Sequence, residues 1–294
     1  MWILALDGGG SKTLARLTNL ETGQQWQQQA GPASLTNDFD LAMANINQLI
    51  SQLCQVSGAL PSQITAVMGL AGAANPQQHQ QAETALAPLF LQLLITTDAR
   101  TSLYGANLGQ PIAMVAIGTG SVAMRLQSDG QEHQVGGWGF NIADEASGAW
   151  LGKMAMRKLL WQVDSKTGVQ SPLLQAIADK TAATPASLLT WLKSATPADY
   201  ALLAPLVFEY QNQCAIAQQL LIEHGQALSK LIYAVREDTN LPVMLLGGLA
   251  SVSKPLLRSS EQALLQPAKG DSVEGAHILA CQLYYRPTFN RDLP

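Results

Sequence analysis

The sequence predicts an α/β protein built from two related domains with mixed sheets, and three observations carry that reading. Within the first hundred residues, apolar strands alternate with glycine-rich turns and amphipathic helices in the order β-β-β-α-β-α-β, which indicates a mixed sheet with helices packed on it. The same opening, an apolar strand, a turn of Gly and Ser, and a second strand, recurs near residue 112. The length of 294 residues is two domains' worth at roughly 150 residues each. A repeat this long is a duplication rather than a solenoid array.

Ile3 to Asp7 reads as the first strand, Thr13 to Asn19 as the second and Gln25 to Ala30 as the third, joined by Gly8-Gly9-Gly10-Ser11 and Glu21-Thr22-Gly23. Leu41 to Leu53 sets Ile46, Leu49, Ile50 and Leu53 on one helical face, with Thr36 or Asn37 as the expected cap and Gly58 and Pro61 beyond its end. Ile64 to Met68 is a strand. Asn75 then caps a helix that has Pro76 at its first position, and Leu93 to Thr97 is the next strand. Ile112 to Ile117, Gly118-Thr119-Gly120-Ser121, Val122 to Gln127 and Asp129-Gly130 repeat the opening hairpin. The two hairpins share an apolar-Arg-Leu step, at Ala15-Arg16-Leu17 and Met124-Arg125-Leu126. The domain boundary is expected at Gly109-Gln110-Pro111, giving domains 1–109 and 110–272. Helices follow at Ser147 to Val163, Leu173 to Ala178, Pro185 to Lys193, Tyr200 to Tyr210 and Cys214 to about Glu237. Pro242 to Leu246 is a last strand, ending in Gly247-Gly248. A closing helix within 273–294, read over Val273 to Tyr285, is expected to complete the N-terminal domain.

Composition narrows the partners. A net charge of −4 and a pI near 5.5 offer no basic field for a phosphate backbone, so nucleic acid is not an expected partner. Met1 to Leu6 runs into Asp7 without a basic leader or a small-residue cleavage site. The longest apolar stretch, Leu86 to Ile95, is interrupted by Pro88 and Gln92 and is far short of the ~20 residues of a membrane span. Cys54, Cys214 and Cys281 lie far apart and form no CxxC pair, so neither a disulfide frame nor a cysteine zinc site is suggested. The expectation is a cytoplasmic protein that meets small molecules, with a homodimer as the candidate assembly.

A turn of Gly and Ser between strands lets backbone N–H groups approach a ligand with no Cβ in the way, which suits phosphate oxygens. One such turn is more often only a tight hairpin. Two at equivalent places of a duplicated domain, one with Asp7 at the strand end and one with Thr119 and Ser121, form a sharper pattern. Facing each other across a cleft, they would grip a polyphosphate from both sides. Other nucleotide motifs fit less well. Ser11-Lys12-Thr13 has serine where a P-loop needs glycine, and Leu6 where its first glycine belongs. Gly118-Thr119-Gly120-Ser121-Val122-Ala123 matches GxGxxA, but a dinucleotide fingerprint must open a helix and this one runs into a strand. It remains the runner-up, as a dinucleotide-dependent oxidoreductase. The lysine and His-Arg-Asp loop of a protein kinase are missing.

Asp7-Gly8-Gly9-Gly10-Ser11-Lys12-Thr13, Thr96-Thr97-Asp98-Ala99, Gly118-Thr119-Gly120-Ser121, Gly136-Gly137-Trp138-Gly139 and Asp144-Glu145 occur in an order that resembles the N-acetylglucosamine and glucosamine kinases. These belong to the BadF/BadG/BcrA/BcrD-type ATPases within the actin-like and hexokinase-like superfamily. The resemblance extends to Gly247-Gly248, similar to an adenosine-side motif, and to Val273-Glu274-Gly275-Ala276, similar to the start of the closing helix. It implies duplicated ribonuclease H-like domains of the actin/hexokinase type, with mixed sheets flanked by helices and an interdomain cleft. It also implies transfer of the γ-phosphoryl group of ATP, with Mg²⁺, to the 6-hydroxyl of N-acetylglucosamine or glucosamine. In that reading Asp98 is the general base. Asp7 holds Mg²⁺ through water, and Gly9, Gly10, Ser11, Lys12, Thr13, Thr119, Gly120, Ser121, Gly247 and Gly248 contact the nucleotide. Asn37, Asp98, Gly137, Trp138 and Asp144 contact the sugar.

Each assignment has a blander alternative. Asp98 and Asn37 could be helix caps, Asp7 a turn former, and Lys12 a solvent-facing side chain. Asp144 and Glu145 are adjacent on one segment, so they do not flank a bond as glycosidase carboxylates do. Ala143 and Ala146 stand where the family usually has glycine, which puts the backbone beside the sugar in question. His79, His133, His224 and His277 show no metal spacing and are expected at or near the surface. Trp150, Trp161 and Trp191 sit in helical patterns and are expected in the core. Two other rivals are an ATPase activating an iron–sulfur reductase, for which no local cysteine pair exists, and a sugar-sensing regulator, for which no basic helix-turn-helix segment is visible. A kinase of glucose or N-acetylmannosamine is the near alternative.

Overall fold

A computed structural model describes residues 1–181 and 184–285. The expected tail 286–294 lies outside the described residues. The chain divides into two compact units. One comprises Met1–Ile112, Leu126–Gly130 and the closing segment from Ala268, and the other Ala113–Arg125 and Gln131–Pro267.

The first unit is built on strands β1 (Trp2–Gly8), β2 (Thr13–Asn19), β3 (Gln25–Ala30), β4 (Ile64–Leu70) and β5 (Gln92–Thr97). They lie in the order β3-β2-β1-β4-β5, with β1, β4 and β5 parallel and β2 and β3 antiparallel. Every residue of β4 is buried, as expected of a central parallel strand covered on both faces. Helix α1 (Phe39–Ser57) turns Ile46, Leu49, Ile50 and Leu53 toward Leu4, Leu6, Leu17 and Met68 in one apolar core. Its cap is Asp38, whose carboxylate accepts from the Leu41 N–H at 3.0 Å, so the expected caps Thr36 and Asn37 are corrected. Asn75 and Pro76 open α2 (Pro76–Leu86) as predicted. Helix α3 (Asp98–Ala106) leaves the carboxyl end of β5 directly.

The second unit repeats the plan with one strand fewer. Strands β6 (Ile112–Ile117), β7 (Ser121–Leu126), β8 (Glu132–Gly136) and β9 (Val243–Leu246) lie in the order β8-β7-β6-β9, with β6 parallel to β9. A meander and then a parallel strand on its far side is also the arrangement of β3-β2-β1-β4, which makes the duplication structural. Strand β8 was not read from the sequence, because its burial pattern carries no apolar face.

Helix α4 (Gly148–Val163) follows, capped by Ser147, and then come α5 (Pro172–Thr181), α6 (Pro185–Ser194), α7 (Pro197–Ala201), α8 (Ala204–Glu209) and α9 (Ala215–Arg236). The single helix expected over Tyr200 to Tyr210 is two, broken around Leu202 and Leu203 before Pro205. Leu151, Leu159, Leu173, Ile177 and Leu220 form a helical core, while Leu228, Ile232 and Val235 of α9 pack on Val115, Ile117 and Val243 of the sheet. Two short helices, α10 (Ala250–Ser253) and α11 (Ser259–Gln262), precede α12 (Ser272–Tyr285), which returns to the first unit and packs on α3 and β1. Trp161 is 77% exposed, contrary to its expected core position, and His224 is fully buried where a surface or partly buried residue was expected. Among the described residues, no helix is long and apolar enough to cross a membrane.

Candidate active site

In the first unit the site residues gather at the carboxyl ends of β1, β4 and β5, the end of an open α/β sheet where ligands bind. Register places Asp7 beside Gly69, and Gly69 beside Thr96, so no side chain from β4 stands between the end of β1 and the end of β5. The space above Gly69 is filled by Thr101 of α3, whose Oγ1 would lie 2.3 Å from a Cβ there. Asp98 follows β5 as the first residue of α3. Thr97 is the cap, accepting from the Arg100 N–H at 3.2 Å, so the blander role proposed for Asp98 is taken by its neighbour. One Asp98 oxygen accepts from the Ala99 N–H at 2.9 Å, and burial raises its pKa above the ordinary carboxylate value.

Asp7 is raised to about 7, first by burial and then by the negative charges of Asp98 and Asp271, with Lys12 opposing. The Gly9 N–H closes the turn on the Lys12 carbonyl at 3.0 Å. Among the described residues no protein acceptor meets the N–H groups of Gly10 and Ser11, both exposed. Asn37 sits beside this turn, its Nδ2 3.8 Å from where a Gly10 Cβ would be. Thr13 is different: it is fully buried and its hydroxyl donates to the Gly31 carbonyl at 2.7 Å, so that hydroxyl serves the fold. Lys12 is exposed, and its charge acts on Asp7.

In the second unit Gly118 to Ser121 makes the equivalent turn, closed by the Gly118 N–H on the Gly120 carbonyl at 2.9 Å. The Gly118 and Thr119 carbonyls accept from Gly148 and Ala149, which fastens the turn to the first residues of α4. Ser121 is buried and donates from its hydroxyl to the Glu145 carbonyl at 2.7 Å, so it too is committed within the protein. Asp144 joins this group. Its Oδ2 is 3.0 Å from where a Gly120 Cβ would be, and its Oδ1 accepts from the Gly139 N–H at 3.2 Å. Burial is the first cause raising its pKa.

Asp144 and Ala146 both have positive φ, 63° and 65°. Ala146 therefore keeps the left-handed backbone that glycine would adopt, with its methyl buried in the sheet core. The geometry in question at the two alanines is retained at this one. Gly137 has φ 75°, and Trp138 is 86% exposed, so neither belongs to a packed helix or strand. Gly247 has φ 94° and its missing Cβ would stand 2.4 Å from the Ile117 carbonyl oxygen, which places Gly247-Gly248 against the end of β6, next to the Gly118 turn.

A family model for the BadF/BadG/BcrA/BcrD ATPases matches residues 4–273. The chain belongs to that family. A glucosamine kinase from Vibrio cholerae is 26% identical over 285 residues, 95% of each chain. An N-acetyl-D-glucosamine kinase from Dictyostelium discoideum is 25% identical over 94% of this chain and 97% of its own. Among solved structures, a candidate N-acetylglucosamine kinase from Chromobacterium violaceum is 33% identical with a TM-score of 0.85, covering 95% of this chain and 98% of that one. The family members' duplicated, actin-like α/β fold is the fold observed here.

One acidic residue of the site was not singled out from the sequence. Asp271 precedes α12, where its carboxylate accepts from the Glu274 N–H at 2.8 Å, and its charge acts on Asp7. The available signal was Asp271 followed by Glu274, a capping pattern at a helix start. Among the described residues no group of three His, Cys, Asp or Glu side chains is set to hold a metal by itself, and the three cysteines are free. A partly buried carboxylate whose charge is opposed by two neighbouring carboxylates nonetheless fits a divalent cation. Mg²⁺ holds few protein ligands and keeps water and phosphate oxygens, so Asp7 alone, its charge reinforced by Asp98 and Asp271, suits the ion of an ATP complex.

Proposed function

We propose that this chain is an ATP-dependent amino-sugar kinase that phosphorylates the 6-hydroxyl of N-acetylglucosamine or glucosamine with Asp98 as general base. One observation carries the base assignment: a carboxyl at a strand end, with its cap role taken by Thr97 and its pKa raised by burial, beside the phosphate-type turn that holds Asp7. A raised pKa suits a group that must accept a proton from an alcohol near neutral pH. Phosphoryl transfer otherwise asks for positioning and charge neutralisation. Asp7 would hold Mg²⁺, which when bound neutralises phosphate charge. Gly9, Gly10, Ser11 and Lys12, the Thr119 to Ser121 turn through its backbone, and Gly247-Gly248 would contact the nucleotide; Thr13 would serve by shaping its turn. Asn37, Gly137, Trp138 and Asp144 would contact the sugar, Trp138 through its ring face. The amino-sugar class is supported by the names of the Vibrio and Dictyostelium relatives. We place the reaction in the cytoplasm.

The test is ADP release measured over glucose, glucosamine, N-acetylglucosamine and N-acetylmannosamine. Turnover is expected to be highest on one of the two proposed amino sugars. Asp98→Asn should abolish transfer and leave ATP affinity nearly unchanged. Comparable or better turnover of glucose overturns the substrate class, and near-normal turnover of Asp98→Asn overturns the base.

A further inference from the structure

The segment between β8 and α4 carries two large apolar side chains almost wholly in solvent, Trp138 at 86% and Ile142 at 91% exposed. Phe140, two residues from each, is half-buried. The segment closes on itself: the Ala143 N–H donates to the Gly139 carbonyl at 2.9 Å, and the Gly139 N–H donates to Asp144 at 3.2 Å. Lys153, on the second turn of α4, reaches into it from outside. Its ammonium donates to the Phe140 carbonyl at 2.7 Å and the Asn141 carbonyl at 3.4 Å, and stands 4.1 Å from the centre of the Phe140 ring.

Phe140 also meets Tyr200 with ring centres 5.0 Å apart, and Tyr200 meets Trp191 of α6 edge-on at 4.9 Å. Tyr200 is itself fixed, because the missing Cβ of Gly152 would lie 1.9 Å from its carbonyl oxygen, so α4 and α7 touch through backbone. Lys153 makes no ion pair among the described residues. A half-buried ammonium with three donors, bonded to two carbonyls, set over a ring and acting by its charge on Asp144 of the same loop, is a device for holding a backbone in one shape.

We propose that Lys153 is a positioning residue for the acceptor. Through Phe140 it fixes the loop that presents Trp138, so it sets acceptor binding and leaves nucleotide binding alone. The inference rests on the reading that this loop meets the sugar. A ring platform held ready in solvent binds without first having to be ordered, which is where such a latch gains affinity.

The test compares wild type with Lys153→Met, which keeps the apolar stem, and with Lys153→Arg, which restores a cation able to reach carbonyls and ring. Lys153→Met is expected to raise the KM for the acceptor sugar on the order of tenfold, the effect of about 1.4 kcal/mol, with the ATP KM within about twofold. Lys153→Arg should recover most of the loss. Hydrogen exchange of the Gly139, Ile142 and Ala143 amides should quicken in Lys153→Met and not in Lys153→Arg. An unchanged acceptor KM, or an equal rise in both KM values, overturns the proposal; so does unchanged exchange. If Lys153→Met does not fold, Lys153→Gln, which keeps a neutral amide but no charge over the ring, replaces it under the same criteria. If the wild type phosphorylates none of the sugars, the amino-sugar reading fails, and the exchange measurement still decides whether Lys153 latches the loop.

Discussion

Asp7 and His224 are moved in opposite directions by one cause, burial that disfavours charge, and they place opposite pH dependence in the same molecule. Asp7 rises from 3.8 to about 7, so its contribution to stability is fully present below about 4 and is lost as pH rises through about 7. His224 falls from 6.5 to about 4, so its contribution is present above about 6.5 and is lost as pH falls through about 4. Between pH 6.5 and 4 the two oppose each other, each by at most about 1.4 kcal/mol per pH unit. In His224→Asn the largest opposing group is gone and only His277, also lowered by burial, still opposes the raised carboxylates, so urea midpoints should rise on going from pH 6.5 to 5. In Asp7→Asn the histidine loss is less opposed and midpoints should fall relative to that variant; parallel slopes in the two variants would refute the assignment. Asp7 and Asp98 could be picked out from sequence because both end apolar strands. Asp271 could not, because its action on Asp7 depends on where α12 is carried. Nor could the depth of His224, since helical periodicity gives a direction and not a distance from solvent. Its ring, bonded to the Ser253 hydroxyl at 2.8 Å, is matched across elements 29 residues apart.

At the scale of elements, the strands and their glycine turns were the readable part, since a period of two and a Gly-Ser break are local signals. The crossing of α3 and α12 was not, because it is written in single absent methyl groups. A Cβ on Gly105 would lie 1.9 Å from the Asp271 carbonyl oxygen, and one on Gly275 would lie 1.8 Å from the Thr101 carbonyl oxygen. The two helices therefore meet backbone to backbone, tied by Ser102 and Ser272 hydroxyls 2.9 Å apart. Because α3 begins at Asp98, anything that pushes α12 away also tilts the candidate base. Gly275→Ala should lower stability by about 3 kcal/mol, the range of overpacking at a site that cannot relax, and lower kcat as well. Gly58→Ala is the control: it has φ 76° but no atom within 4 Å of the new methyl. It should cost about 1 kcal/mol of backbone strain and leave kcat unchanged. Thermal melts and kcat of the two variants separate the cases; an unaffected kcat in Gly275→Ala would show that the crossing does not govern Asp98.

Across the whole molecule, 17 basic residues against 21 acidic ones give a net charge of −4, an unfavourable field for a nucleotide tetra-anion. Among the described residues, Lys12 is the cation whose charge acts on Asp7, where Asp98 and Asp271 add negative charge. If ATP binds here, attraction to a basic surface cannot be what holds it. The remaining means are backbone N–H groups, such as those of Gly10 and Ser11, the single charge of Lys12, and a divalent cation that Asp7 would hold. These act at contact distance, where salt screens little, whereas a diffuse positive field is screened within roughly 10 Å at 0.1 M salt. Two consequences follow for one titration. The KM for MgATP should change by less than about twofold between 50 and 300 mM KCl, unlike the steep salt dependence of ligands held by many surface cations. Chelating the metal should abolish turnover and weaken nucleotide binding sharply, because uncomplexed ATP then faces Asp7, Asp98 and Asp271 with only Lys12 to offset them. A steep rise in KM with salt, or ATP binding indifferent to Mg²⁺, would show that charges elsewhere on the surface do the holding and would remove Asp7 from its proposed place.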